Sequence, residues 1–233
     1  MKYYYDLHIH SVLSPDGDDL MTPNNILNMT QIKKLDIIAV TDHNSLKQLP
    51  IIDEIAKSYD FLFVPGVEIH VKEDFHVLCY FKKMEDAMTF DQILENIQKK
   101  HPHLIITDQD QWITDIDDEP LHHYPFDLTK PLDLTLDELM TLLKPYDHIM
   151  VYAHVDRQRY SGASFMNKKP LDAIELSPRA KPDWMITHHT ENYFIFYNSD
   201  AHQLTDIAER GTLNVIELDE LTIDALFKRV RHG

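Results

Sequence analysis

Residues 36 to 45 read "DIIAVTDHNS". The run Asp36–Thr41 is rich in β-branched side chains and reads as a buried strand, and it stops at a carboxylate and an imidazole, Asp42 and His43. Before it, Thr22-Pro23 is an N-cap and first-turn signal, and Ile26, Met29 and Ile32 then recur at helical spacing. After it, Ser45–Tyr59 is helical in pattern, with Pro50 placing the main helix from that point on. The local order is helix, strand, helix.

The same alternation extends in both directions. Strand-like runs occupy Tyr3–His10, Phe61–Val67, Phe75–Phe81, His148–Ala153, Ala173–Leu176, Tyr193–Asn198 and Thr212–Leu218. Phe90, Ile93, Leu94 and Ile97 form one helix face, and Thr135 to Glu138 is a capping box before a helix anchored by Leu139, Leu142 and Leu143. Such a chain is expected to be an α/β domain with a largely parallel sheet, open or closed into a barrel. Residues 101–131 break the rhythm. Their polar "DQWITDIDDEPLHHYP" predicts a hairpin turning near Asp117-Asp118, inserted as a lid or an edge.

With 233 residues, 43% of them hydrophobic, and no repeat or linker-like tract, one domain spanning 1–233 is expected. No signal-peptide pattern or membrane-length apolar stretch is visible, and the single cysteine, Cys79, cannot form an internal disulfide. These features predict a cytoplasmic protein with no membrane partner. The formal charge of −17 disfavours long polyanions, because sequence-independent nucleic-acid binding needs basic stripes that are not seen here.

Fifteen histidines are many for this length. In "DLHIHS", residues 6–11, strand alternation puts His8 and His10 on one face, with Leu7 and Ile9 opposite. In parallel α/β folds chemistry gathers at the carboxyl ends of strands. Asp42 and His43 follow the second strand, Glu68 the third, His154 a later one, and Asp200 and His202 the run "YFIFYN". His76 opens its strand instead of closing it, although a hairpin between Val67–Val71 and Phe75–Phe81 would bring it towards Glu68. Each of these residues alone is compatible with a cap or a solvated side chain. Five strand ends delivering imidazole and carboxylate to one rim point to zinc, manganese or iron, and to more than one ion, since they exceed the three or four protein ligands of a single catalytic zinc.

The order Asp-Leu-His-x-His-Ser, Thr-Asp-His, Pro-Gly-x-Glu, a later His after a strand, and Ser-Asp-Ala-His resembles the PHP (polymerase and histidinol phosphatase) family over Asp6 to His202. Within it, "SPDGDDLMTPNNI" and "AHVDRQRYS" resemble the small bacterial metal-dependent phosphoesterases. The resemblance implies a distorted (β/α)7 barrel carrying two or three divalent metal ions at the C-terminal ends of the strands. It assigns His8, His10, Glu68 and Asp200 to the first ion. Glu68 bridges to a second, completed by His76 and His154. His43 and His202 belong to a third with Asp16, for which Asp18 is a rival. Glu68, Asp200 and His202 are also the expected catalytic residues. His70, His101, His103, His122, His123, His148, His188, His189 and His232 match no motif and read as structural or surface residues, although the pairs 101/103 and 122/123 could reach a substrate.

Divalent ions acidify a water and neutralise phosphoryl charge, so the expected reaction is hydrolysis of a small phosphorylated substrate, a nucleotide or metabolite phosphate. Arg157 and Arg179 are the candidate phosphate contacts, with Arg159 and Lys181 behind them. The alternatives are an exonuclease or oligonucleotide phosphatase, and a non-catalytic metal-binding regulatory domain.

Overall fold

The computed structural model describes residues 1–101, 104–106 and 110–232. Among these, eleven strands and seven α-helices follow one another as β1 (Lys2–Ile9), α1 (Pro23–Ile32), β2 (Ile37–Val40), α2 (Leu49–Ala56), β3 (Leu62–Phe63), β4 (Gly66–Val71), β5 (Phe75–Phe81), α3 (Met84–Lys99), β6 (Trp112–Thr114), β7 (Pro120–His123), α4 (Leu136–Leu143), β8 (His148–Tyr152), α5 (Ala163–Met166), β9 (Ala173–Glu175), α6 (Pro182–Thr187), β10 (Phe194–Phe196), β11 (Val215–Glu217) and α7 (Ile223–His232). Proline in the first turn opens both α1 and α2, and the Thr135–Glu138 capping box is present at α4.

The strands form a four-stranded sheet, β11-β1-β2-β3, a five-stranded sheet, β10-β9-β8-β5-β4, and the separate pair β6-β7. The fold is mixed α/β, and these ladders do not join into one closed barrel. Two isolated parallel bridges, Ile9 to Ala201 and His43 to Glu68, connect the two larger sheets. Parallel pairing is also less pervasive than the alternation predicts. β11 lies antiparallel on β1, and β5 is antiparallel to both β4 and β8.

The two larger sheets enclose one apolar cluster, with Tyr5, Leu7, Ile37 and Ala39 from the first and Leu78, Tyr80, Val151, Ala173 and Phe196 from the second. The opposite strand faces, through Ile38, Val40, Val67 and Cys79, pack against helix residues such as Ile26, Ile52, Phe90 and Leu139. The expected strand at 61–67 is divided at Pro65. β3 pairs with β2, whereas β4 starts afresh on β5, because Pro65 has no N–H for a ladder and offers only its carbonyl, to Phe81 N at 2.8 Å.

The insert does contain a hairpin, β6-β7, with its turn at Asp115 to Glu119. It joins neither larger sheet. Ile113, Tyr124, Phe126 and Leu128 pack instead with Leu13, from the loop after β1, and Asp118 binds Thr22 and Asn24 at the start of α1. No helix among the described residues is long and apolar enough to cross a membrane.

Candidate metal centre

His8 and His10 lie at the end of β1, and their Nε2 atoms are 3.1 Å apart. Simple alternation does not account for all of their surroundings. The β1–β2 register shifts between Asp6 and Ile9; Leu7 packs between the sheets with Tyr5, while Ile9 packs in the outer cluster. A register irregularity re-aims side chains in this way, so Leu7 and Ile9 part company while both imidazoles face the rim.

The direction of β5 explains His76. Because β5 runs against β4 and β8, its first residues lie at the rim where β4 and β8 deliver Glu68 and His154. His76 Nδ1 is 2.9 Å from Glu68 Oε1, His154 Nε2 is 3.2 Å from that oxygen, and the two ring nitrogens are 3.3 Å apart. On the other side of Glu68, His8 Nε2 lies 3.3 Å from Oε1 and His10 Nε2 3.5 Å from Oε2. Asp200 Oδ1 is 3.2 Å from His8 Nε2 and 3.1 Å from His10 Nε2. A third group joins His43 Nε2 and His202 Nε2 to Asp16 Oδ2, at 3.3 and 3.1 Å. His43 Nδ1 also lies 2.8 Å from Glu68 Oε2.

These spacings suit a metal. Donors about 2.0–2.1 Å from one tetrahedral ion stand about 3.3 Å from each other. Glu68 Oε2, His154 Nδ1 and His202 Nε2 are buried without a hydrogen bond, although Oε2 and Nε2 each have a close polar neighbour. Grouped by proximity, His10, Asp16, His43 and His202 form one candidate metal set, His8, His10 and Asp200 another, and His43, Glu68 and His76 a third. Asp18 points elsewhere, its Oδ1 accepting from Leu20 N.

The charges are strongly coupled. Burial would raise Glu68, but His76, His8 and His43 hold it well below the usual carboxylate range. Asp200 is likewise held down against burial, by His8 and His10. Burial lowers His8, yet Glu175, Asp200 and Glu68 outweigh it and the net shift is upward. His43 behaves in the same way, pushed up to about 10 by Glu68 and Asp16. For His10, burial and the neighbouring His202 and His43 win, bringing it to about 3. Burial also prevails over Glu68 at His76, which falls to about 4.

Supporting residues fix these side chains. Asp42 is not in the cluster. Its carboxylate accepts from Ser11 N, Ser11 Oγ and Ser14 Oγ at 2.7, 2.6 and 2.8 Å, and Ser14 Oγ sits 2.9 Å from His10 Nδ1. Asp6 accepts from Ser199 N and Oγ and from Ala208 N, shaping the turn that presents Asp200 and His202. Glu175 was not legible as a site residue. It is a carboxylate inside the short apolar strand β9, and the analogous burial of Glu68 in "GVEIH" is the signal that could have marked it. His154 and Asp200 both have left-handed backbone, φ 31° and 54°, the local strain expected at functional sites.

The cleft over the cluster has a volume of about 360 Å³, and Arg157, Arg159, Tyr160, His70 and Thr129 line it beside the metal candidates. Arg157 pairs with Asp200. Arg179 is not brought into this cleft; it lines a neighbouring cavity that Arg157 also borders. His122 and His123 lie on exposed β7 away from the cleft, and His103 lies outside the described residues.

No family model matches the chain, and no curated protein matches it in sequence. Solved structures do. Endonuclease Q from Pyrococcus furiosus is 19% identical with a TM-score of 0.69, covering 100% of this chain and 57% of that one. An endonuclease Q complex with a 27-mer duplex carrying an abasic lesion gives a TM-score of 0.65 at the same identity and coverage. The chain therefore spans a little over half the length of endonuclease Q. A protein from Bifidobacterium adolescentis assigned as a metal-dependent phosphoesterase is 16% identical with a TM-score of 0.61, covering 98% of this chain and 96% of that one. A two-domain protein from Bacteroides vulgatus, assigned as containing a PHP-like metal-dependent phosphoesterase, is 17% identical with a TM-score of 0.58, covering 99% and 63%. This chain thus has the fold of the PHP-like metal-dependent phosphoesterases, the family its motif order resembles.

Proposed function

We propose that the protein is a metal-dependent phosphoesterase that hydrolyses a small phosphorylated substrate within a single domain. The observation that carries this reading is Glu68, a fully buried carboxylate with His8, His10, His43, His76 and His154 gathered around its two oxygens. In this reading β1, β2, β4, β5, β8, β9 and β10, seamed by the bridges Ile9–Ala201 and His43–Glu68, constitute a distorted seven-stranded barrel.

His8, His10, Glu68 and Asp200 would hold one divalent ion, Glu68, His76 and His154 a second, and Asp16, His43 and His202 a third. When bound, such ions supply an acidified water and charge neutralisation for a phosphoryl group; zinc, manganese and iron all suit this donor set. The chain's own residues do the rest. Glu175 and Ser14 fix the orientations of His8 and His10. Arg157, paired with Asp200 at the edge of the cleft, would donate to a phosphoryl oxygen, and Arg179 would serve a part of the substrate reaching past Arg157. The test is to load the protein with Mn²⁺, Zn²⁺ or Fe²⁺, measure the metal bound per chain, and screen nucleotide and metabolite phosphates for phosphate release. Tightly bound metal with no turnover across that panel would favour the regulatory binding domain.

A second reading, cleavage of nucleic acid, is favoured by the likeness to endonuclease Q, one structure of which holds a duplex. The charge of −17 weighs against long strands on this chain.

A further inference from the structure

The loop after β8 does more than deliver His154. At its far end Tyr160 lines the cleft and is 41% exposed. Its ring lies parallel to the imidazole of His76, with centroids 4.7 Å apart and planes 4° from parallel, while His70 meets it edge-on at 5.0 Å. One face of the ring is therefore covered by a candidate metal ligand, His70 meets the ring edge-on, and the exposed part of the residue borders the cleft.

The position is held. Tyr160 adopts φ 56°, a left-handed conformation that costs energy for an aromatic residue and persists only where the surroundings impose it. Its carbonyl accepts from His76 N at 3.1 Å, and Ser161 Oγ donates to Val155 O at 2.6 Å, tying the loop to β5 and to its own start. Beside it, Arg159 also lines the cleft and makes no ion pair among the described residues, whereas Arg157 is engaged by Asp200. A flat aromatic surface one ring layer from a candidate metal ligand and a cation with no ion pair among the described residues thus border the same cleft.

We infer that Tyr160 is a stacking platform for the base of the nucleoside that leaves as its free alcohol, so that the substrate is a nucleoside phosphate and not a sugar or polyol phosphate. This rests on the phosphoesterase reading and narrows it. A phosphoryl group held beside His76 would leave the ribose to span the cleft wall and the base to lie on the exposed side of Tyr160. Stacking of a base on an aromatic side chain contributes roughly 5- to 150-fold in affinity and tolerates any base, because each has a π-face. A sugar phosphate has no such face to offer.

The test uses the metal-loaded full chain, with Tyr160→Phe and Tyr160→Leu variants whose metal content matches the parent. Substrates are a nucleoside 5′-monophosphate, ribose 5-phosphate and a 5′-phosphorylated trinucleotide. The parent should prefer the nucleotide to ribose 5-phosphate in kcat/KM by roughly tenfold or more. Tyr160→Leu should lower that ratio by at least roughly fivefold, and Tyr160→Phe should keep it. Parallel sensitivity of the trinucleotide would identify the end of a short strand as an equivalent source of the same chemistry. Equal turnover of nucleotide and ribose 5-phosphate by the parent, or an unchanged ratio in Tyr160→Leu, overturns the inference and leaves the phosphoesterase reading standing. If neither ester is hydrolysed, that reading falls, and equilibrium binding of the same two compounds decides the platform: nucleotide selectivity lost in Tyr160→Leu supports it, and binding without selectivity overturns it.

Discussion

Glu175 grips His8 with both oxygens: the imidazole Nδ1 lies 2.9 Å from Oε2 and 3.1 Å from Oε1. The same carboxylate accepts the backbone N–H of His154 at 3.0 Å and the side-chain amide of Asn198 at 2.8 Å. With one proton held on Nδ1, loss of the second on metal binding would free the His8 Nε2 lone pair towards Asp200 and Glu68. One carboxylate thereby orients ligands of two candidate metal positions.

Glu175→Ala should therefore weaken metal binding about 10- to 100-fold, and Glu175→Gln, which keeps an acceptor but loses the charge, should fall between it and the parent. Competition with a chromogenic chelator measures this directly. Unchanged affinity in a folded Glu175→Ala protein would remove the residue from any positioning role.

Glu68→Gln takes one charge from the carboxylate at the centre of the cluster. Metal content per chain, measured by elemental analysis, should drop by more than one ion. A loss of one ion or none would show that Glu68 does not bridge.

Metal loading should release protons. In the metal-free protein His43 is raised to about 10, so it carries its proton at pH 8, and a ligand must shed it. His10 and His76, lowered to about 3 and about 4, are already neutral there. Because the His43 value is raised above the unfolded value of about 6.5, its contribution to metal-free stability is complete below pH 6.5 and disappears as pH climbs through about 10. Calorimetric titrations at pH 8 in two buffers of different ionisation enthalpy should give different apparent heats. Identical heats would argue against protonated His43 as a ligand.

Substrate length gives a fourth test. With a formal charge of −17, a long strand must lay its phosphates against carboxylates, and three divalent ions would still leave the chain acidic. Catalytic efficiency should fall as an oligonucleotide lengthens beyond a few residues, and added salt should leave long-strand turnover flat or improved. Faster turnover of long strands that collapses on adding salt would favour the nuclease reading.

Much of the candidate centre was legible because its side chains are unusual at strand ends: His8, His10, His43, His154 and Asp200 follow apolar runs where a fold of this class puts its chemistry. The hairpin at Asp115 to Glu119 was also readable, from its turn residues. What escaped depends on pairing between distant segments. The register shift in β1, the break at Pro65 and the antiparallel placement of β11 are properties of strand partners, which periodicity does not encode. Glu175 escaped because one carboxylate in a three-residue strand looks like ordinary alternation until Asn198, His154 and His8 arrive around it. α7 carries only a short signal, Leu226, Phe227 and Val230 on one face among charged residues.

The reversal of β5 has a further consequence, for the order in which the centre can assemble. Glu68 and His76 are 8 residues apart on one hairpin, while His8 and Glu175 are 167 apart. Ideal-chain closure makes the longer loop more costly by roughly 3 kcal/mol. A carboxylate–imidazole pair able to capture an ion thus needs only a local hairpin, and the distant histidines can arrive at a nucleus that is already half built.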